Sequence, residues 1–338
     1  MNELEIKIPA KALLFGEYGV LNNGKAIAIS FNHYFFHMSF RIENSEQNNA
    51  KINIISDFFR DKKVSFSTYE LVKPKIQDSN ILFFINLLQP WYNFLENKNL
   101  TINIFNSYSP QLGFGSSSAL IAGTSLAFNK LFLNDKDIFL NEDLWFKIRL
   151  SIKNIQQKGS GYDVAIQLAA IQTQSNVNNS VSFWQFQNNQ YSVIPEVTKF
   201  IPMENTHSYG CFIKTNIYSD TKKAIQSFMS NIEKETFAHQ QMQLAENFIM
   251  NSRLENLKQL MNKSLNLATL QKIIPDNCSS FRDLQAKLEK ENIAYKTMGA
   301  GHGDCIWTLA TAQELTPNCK IPAQDIVFDF ATAGALNE

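Results

Sequence analysis

Polar and apolar residues alternate almost from the start of the chain. Glu3–Ile8 reads Glu-Leu-Glu-Ile-Lys-Ile, the period of a half-buried strand. Phe15–Val20 and Lys25–Phe40 are further strand candidates, with Asn22-Asn23-Gly24 between them as a hairpin signal. The period then lengthens. Asn80–Asn97 carries a helical apolar stripe that Pro90 must break or kink, because proline has no N–H to give the ladder. Thr101–Phe105 is extended again, Ala119–Phe128 and Asn141–Gln157 are helical, and another helix runs from Tyr162 to Ala170. Val181–Phe186 and Tyr191–Ile194 read as a hairpin. Pro195–His207 has no clear period and marks a domain boundary near residue 200. Beyond it, Tyr209–Thr215 is a strand and Lys222–Leu270 is mostly helical, in at least two pieces. Ser279–Glu291 is a further helix, and Ile293–Thr297, Ile306–Ala310 and Ile326–Phe330 are strands. This mixture makes the expected class α+β. At 338 residues the chain exceeds one ordinary core, so two domains are expected, 1–200 and 201–338.

Charge removes several classes of function. Lys+Arg 31 balances Asp+Glu 31, so no overall field draws the protein to nucleic acid or to an anionic membrane. No apolar run reaches the 18 residues of a spanning helix. Met1–Ala10 lacks the cationic start and apolar run of a secretion signal. Cys211, Cys278, Cys305 and Cys319 have neither zinc-site spacing nor the pattern of a disulfide framework. A cytoplasmic protein with a small-molecule ligand is the expectation.

The most informative stretch is Pro110-Gln111-Leu112-Gly113-Phe114-Gly115-Ser116-Ser117-Ser118-Ala119, between an apolar strand and an apolar helix. Its glycines let the backbone approach a ligand closely, and its serines open a helix whose free N–H groups attract an anion. The same residues also suit an ordinary glycine turn with serine N-caps. Gly19–Lys25 has the Gly–Lys spacing of a P-loop, but Ala26 supplies no hydroxyl and the flanks look extended, so a hairpin turn is expected there. Lys11, in Pro9–Tyr18, can sit beside a phosphate as a point charge or end a strand in solvent. Asp163, in Gly159-Ser160-Gly161-Tyr162-Asp163, can serve as a base or simply complement a helix dipole. A second glycine-rich loop, Gly299-Ala300-Gly301-His302-Gly303-Asp304, follows much later.

Taken in order, Pro9–Val20, Pro110–Ala119, Gly159–Asp163 and Gly299–Cys305 resemble the motifs of the GHMP small-molecule kinases, the group of galactokinase, homoserine kinase, mevalonate kinase and phosphomevalonate kinase. The resemblance implies an N-terminal domain like ribosomal protein S5 domain 2, a ferredoxin-like C-terminal domain, and an active site between them. It implies ATP and Mg²⁺ as cofactors. Gly113, Phe114, Gly115, Ser116, Ser117 and Ser118 would bind the ATP phosphates, with the Ser117 hydroxyl near the metal. Asp163 would be the catalytic carboxylate and Lys11 its charged neighbour, while Gly299, Ala300 and Gly301 would shape the substrate and phosphate side. Glu17, Ser160 and Lys296 are further candidates, and Lys158, Lys222 and Lys223 are cations that a phosphorylated acceptor would need.

Within the group, Gly16-Glu17-Tyr18, Gly-Ser-Gly-Tyr-Asp and Gly303-Asp304-Cys305 are similar to phosphomevalonate kinases. Leu14-Phe15-Gly16-Glu17 is similar to mevalonate kinases, but their metal-binding glutamate has no counterpart between Leu144 and Tyr162. His302 and Ala10 replace family glycines. The resemblance therefore implies an isoprenoid-pathway kinase acting on phosphomevalonate, with mevalonate as the alternative acceptor and a non-catalytic binding protein of the same fold as the rival. It leaves a homodimer as a possible assembly.

Overall fold

The computed structural model describes residues 2–46, 50–57, 63–106, 112–134, 137–157, 159–173, 181–189, 191–200, 208–215, 217, 224, 226, 228, 233–250, 254–271, 273, 279–299, 305–311 and 326–329. Among these residues two sheets form. The first contains β1 (Asn2–Phe15), β2 (Ala26–Asn44), β3 (Lys51–Ser56), β4 (Lys63–Ser67), β5 (Lys98–Asn106), β6 (Val181–Gln187) and β7 (Glu196–Phe200). The long antiparallel pair β1–β2 is its spine. β2 serves two further partners, pairing Phe36–Asn44 with β5 and Ala26–Phe31 with β6. β3 lies parallel to β5 and antiparallel to β4. The second sheet runs β11-β8-β10-β9, with β8 Ser208–Lys214, β9 Ala294–Thr297, β10 Cys305–Thr311 and β11 Ile326–Asp329, all antiparallel.

The helices are α1 (Ser79–Leu88), α2 (Tyr92–Leu95), α3 (Ser116–Phe128), α4 (Glu142–Gln156), α5 (Tyr162–Gln172), α6 (Lys234–Met250), α7 (Leu254–Leu270) and α8 (Ser279–Lys290). α3 and α5 pack on each other and on β1, and α4 covers α1 and α3. α3 is buried from Ser118 to Phe128 with no polar face, because helices and sheet enclose it. α1 begins on Asp78, whose carboxylate accepts from the N–H groups of Asn80 and Ile81. It gives way at Gln89–Trp91, where Pro90 interrupts the ladder as expected.

Two readings of the sequence need correction. The alternation at Glu3–Ile8 belongs to a strand that continues to Phe15, and every residue from Ile8 to Val20 is buried, so period-2 contrast disappears. Phe15–Val20 is therefore a turn rather than a strand: Gly16 (φ 96°) and Tyr18 (φ 58°) reverse the chain into a 3₁₀ helix at Gly19–Asn22. A Cβ on Gly16 would lie 2.3 Å from the Lys25 carbonyl oxygen, so the turn closes only around glycine. The partner of β6 is Glu196–Phe200, not Tyr191–Ile194, because Asn188 and Asn189 and the turn after them lengthen the connection. The β3–β4 hairpin had no sequence expectation, although Lys51–Ser56 buries alternate residues.

The second sheet is apolar on both faces. Phe212, Trp307, Leu309 and Met298 join the same core as β1, β2 and α3. The alternate residues Cys211, Ile213, Tyr295 and Ile306 build a second core with Phe237, Phe281 and Leu288. Tyr18 crosses from the first sheet's turn into that second core and stacks on Phe228 with ring centroids 4.1 Å apart. The two lobes thus share apolar contact, and β1, the turn after it and β9 meet at their junction.

Candidate active site

The loop before α3 is shaped by two left-handed glycines, Gly113 (φ 71°) and Gly115 (φ 83°). A Cβ on Gly115 would approach Lys11 Cε to 2.6 Å and Ser118 Oγ to 2.7 Å, so the lysine stem lies directly over the glycine. The loop is anchored to β1 by the Lys11 N–H, which donates to the Phe114 carbonyl at 3.1 Å. Phe114 is fully buried between Phe31 (4.8 Å) and Phe212 (5.4 Å), so it offers a ligand only backbone. The three serines diverge. Ser118 Oγ donates to the Gly115 carbonyl at 2.8 Å, Ser116 Oγ is buried with no partner among the described residues, and Ser117 is exposed. The first N–H groups of a 13-residue helix have no intrahelical acceptor, so this end can receive an anion.

Gly115→Ala is expected to cost roughly 2–4 kcal/mol, from the left-handed backbone together with overpacking against Lys11. Chemical denaturation checks it; an unchanged midpoint would contradict the packing described.

α5 supplies the other half of the site. Gly161 (φ 78°) turns the chain into Tyr162 and Asp163, the first two residues of the helix. A Cβ at Gly161 would meet Ile152 and Arg149 at 2.9 and 3.0 Å. Arg149 pins this turn by donating to the carbonyls of Ser160 and Val193 and to Asn188 Oδ1. Ser160 is nearly buried and its Oγ accepts from the Tyr162 N–H at 3.4 Å. Asp163 is partly buried, and its Oδ1 accepts from the Val164 N–H at 3.1 Å. One turn later, buried Gln167 donates Nε2 to the Pro9 carbonyl (2.9 Å) and the Gly115 carbonyl (3.4 Å). The helix that carries Asp163 is therefore bonded to the loop that opens α3.

Lys11 joins the two halves. It is 5% exposed, and its Nζ donates to the Tyr162 hydroxyl at 2.9 Å while lying 4.8 Å from that ring's centroid. Its stem covers Gly115 and its ammonium ends beside the residue before Asp163. Burial pushes the Tyr162 phenol above its ordinary range; the Lys11 charge opposes this, and Asp163 and Glu17 add to it.

Glu17 and Lys296 lie at the lobe junction as a buried ion pair. The Lys296 ammonium also donates to the Leu14 carbonyl (2.8 Å) and the Thr297 carbonyl (3.0 Å), so its three donors have three acceptors inside the protein. Burial pushes the Glu17 carboxyl up and the Lys296 charge is the largest force holding it down. Glu17 Oε2 is buried and has no hydrogen-bond partner among the described residues. Gly299 is left-handed (φ 60°), and no described residue lies within 4 Å of where a Cβ would point. Ala300 and Gly301, with His302 and the three cations Lys158, Lys222 and Lys223, lie outside the described residues.

The structure thus brings Lys11, Gly115, Ser160 and Asp163 to one place and sets Glu17 and Lys296 against each other. Sequence reasoning passed over Tyr162, Gln167 and Arg149. Gln167 was within reach as the residue four after Asp163 on the same helix face; nothing in the sequence marks Arg149.

Residues 81–170 match the GHMP kinases N terminal domain, a segment that includes the Gly113–Ser118 loop and Asp163. Over 128 residues the chain is 31% identical to a mevalonate kinase of Saccharolobus solfataricus; the match spans 38% of each chain. Among solved structures, the mevalonate kinase of Methanococcus jannaschii superimposes with a TM-score of 0.64 at 16% identity, covering 97% of both chains. A Streptococcus pneumoniae phosphomevalonate kinase in complex with phosphomevalonate and AMPPNP gives 0.68 at 15% identity, covering 92% of this chain and 93% of that one. Residues 81–170 thus resemble the N-terminal domain of the GHMP kinases, and the chain shares the α+β fold of these solved structures over most of its length.

Proposed function

We propose that the protein is an ATP-dependent kinase that phosphorylates a mevalonate-type hydroxy acid. The observation that carries this reading is Lys11, whose one side chain touches both the anion cradle at Gly115 and the turn that presents Asp163. The cradle suits a triphosphate, since the helix end supplies N–H donors and Lys11 lies over Gly115 as a cation. Ser117, the exposed hydroxyl of the three, would hold the Mg²⁺ that accompanies ATP. That ion would neutralise phosphate charge as the phosphoryl group transfers. Asp163 accepts or orients the proton of the acceptor hydroxyl, and Lys11 offsets negative charge between donor and acceptor. Phosphoryl transfer depends mainly on positioning and electrostatics, which two lobes in close contact provide.

The hydroxyl of mevalonate is the acceptor in the first reading. It needs a carboxylate base, whereas the phosphate of phosphomevalonate is already an anion and needs added cations. Among the described residues, Lys296 does not supply one, because Glu17 and two carbonyls take its donors; Lys158, Lys222 and Lys223 lie outside the described residues. The mevalonate kinase match points the same way. Phosphomevalonate remains the second reading, supported by Gly16-Glu17-Tyr18 and Gly-Ser-Gly-Tyr-Asp. Initial rates of ADP formation with each compound decide between them. Turnover with neither, nor with another small alcohol, would refute the kinase reading.

Ser117→Ala is expected to raise the KM for Mg·ATP by roughly tenfold and leave the acceptor KM within about twofold, as loss of one charge-assisted contact implies. Equal shifts in both constants would remove Ser117 from the nucleotide side.

A further inference from the structure

Tyr162 stands where the two halves of the site meet, and its hydroxyl is only half used. It accepts a hydrogen bond from Lys11 Nζ at 2.9 Å. Among the described residues, no group accepts the hydroxyl's own proton. A phenol both donates and accepts, so this proton is free to go to solvent or to an oxygen of a ligand in the cleft. The ring is fixed by Phe186, 6.2 Å away, and by its place as the first residue of α5, next to Asp163. The hydroxyl is therefore held beside the ammonium that spans the site, one residue from the carboxylate.

We propose that Tyr162 is an acceptor-binding residue, donating its hydroxyl proton to an oxygen of the hydroxy acid while Lys11 holds the phenol in place. The proposal rests on the kinase reading above and adds a specificity determinant to it. An acceptor with an anionic or carbonyl oxygen near its reacting hydroxyl satisfies this donor; a plain alcohol does not. No bond is made or broken at Tyr162, so its removal affects recognition of the acceptor and not of the nucleotide.

The test is isothermal titration of mevalonate and of phosphomevalonate, separately and without nucleotide, into the wild-type protein and Tyr162→Phe. ATP titrations and thermal midpoints are recorded for both proteins. The expected result is roughly tenfold weaker acceptor binding by Tyr162→Phe, with ATP affinity and midpoint unchanged. Acceptor affinity equal to wild type would overturn the proposal and leave the kinase reading intact. Parallel losses for ATP and acceptor would also overturn it, by making Tyr162 a structural support of the whole site. Wild-type protein that binds neither compound would overturn the acceptor assignment itself, and the proposal with it.

Discussion

Asp163→Asn is expected to lower kcat by about 10²–10⁴-fold, the usual contribution of a positioned general base. The side chain keeps its size and its place in the first turn of α5. The contacts that fix the helix belong to Gln167, Arg149 and Tyr162, and the substitution leaves them untouched. The melting temperature and the KM for ATP should therefore remain close to wild type. Steady-state kinetics with mevalonate and Mg·ATP, alongside thermal denaturation, measure all three. A variant with wild-type turnover would take Asp163 out of the mechanism. A variant that loses turnover only because it unfolds would show that the carboxylate supports the fold instead.

Lys296→Met is expected to be strongly destabilising, costing about 3–5 kcal/mol by leaving Glu17 buried without its counter-charge. Glu17→Gln in the same chain should recover a large part of that loss, because an amide is far less costly to bury than an unpaired carboxylate. The effect has a pH signature. Burial already pushes the Glu17 carboxyl above its ordinary value of 4.5, and Lys296 is the main influence holding it down. Without the lysine the folded form binds the proton more tightly than the unfolded chain does. Between the unfolded value and the raised folded one, the folded state then carries more protons, so stability falls as pH rises. Urea denaturation of Lys296→Met should show the smallest deficit near pH 4.5 and a growing one toward pH 8. The double variant should lack this slope. A pH-independent deficit would mean that Lys296 acts through its packing on Phe15, 5.3 Å away, and not through Glu17.

The helices and the glycine-rich loop were legible in the sequence because their signals are local. Pro90 marks the break after α1, and serines open α3 after a left-handed glycine. What escaped depended on contacts between distant segments. Residues Ile8–Val20 are buried because a second lobe covers what would be the solvent face of β1, so alternation there carries no information. Gly16 and Tyr18 look like strand residues until the turn that seats Tyr18 on Phe228 is seen. The site divides along the same line. Gly113–Ser118, Lys11 and Asp163 stand out as residue types at telling positions. Lys296 read as a cation for a phosphorylated acceptor, but its ammonium is occupied by a carboxylate nearly three hundred residues earlier in the chain. Tyr162 was visible only as the residue before Asp163, and its bond to Lys11 spans 151 positions.

The central claim is that the α3 cradle and Asp163 serve one bound triphosphate. A crystal structure with a non-hydrolysable ATP analogue and mevalonate tests it most directly. The account predicts phosphates lying over Gly113–Ser118, the acceptor oxygen about 3–3.5 Å from the terminal phosphorus, and that oxygen within hydrogen-bond reach of Asp163. A triphosphate seated away from Ser117, or an acceptor oxygen far from Asp163, would contradict it.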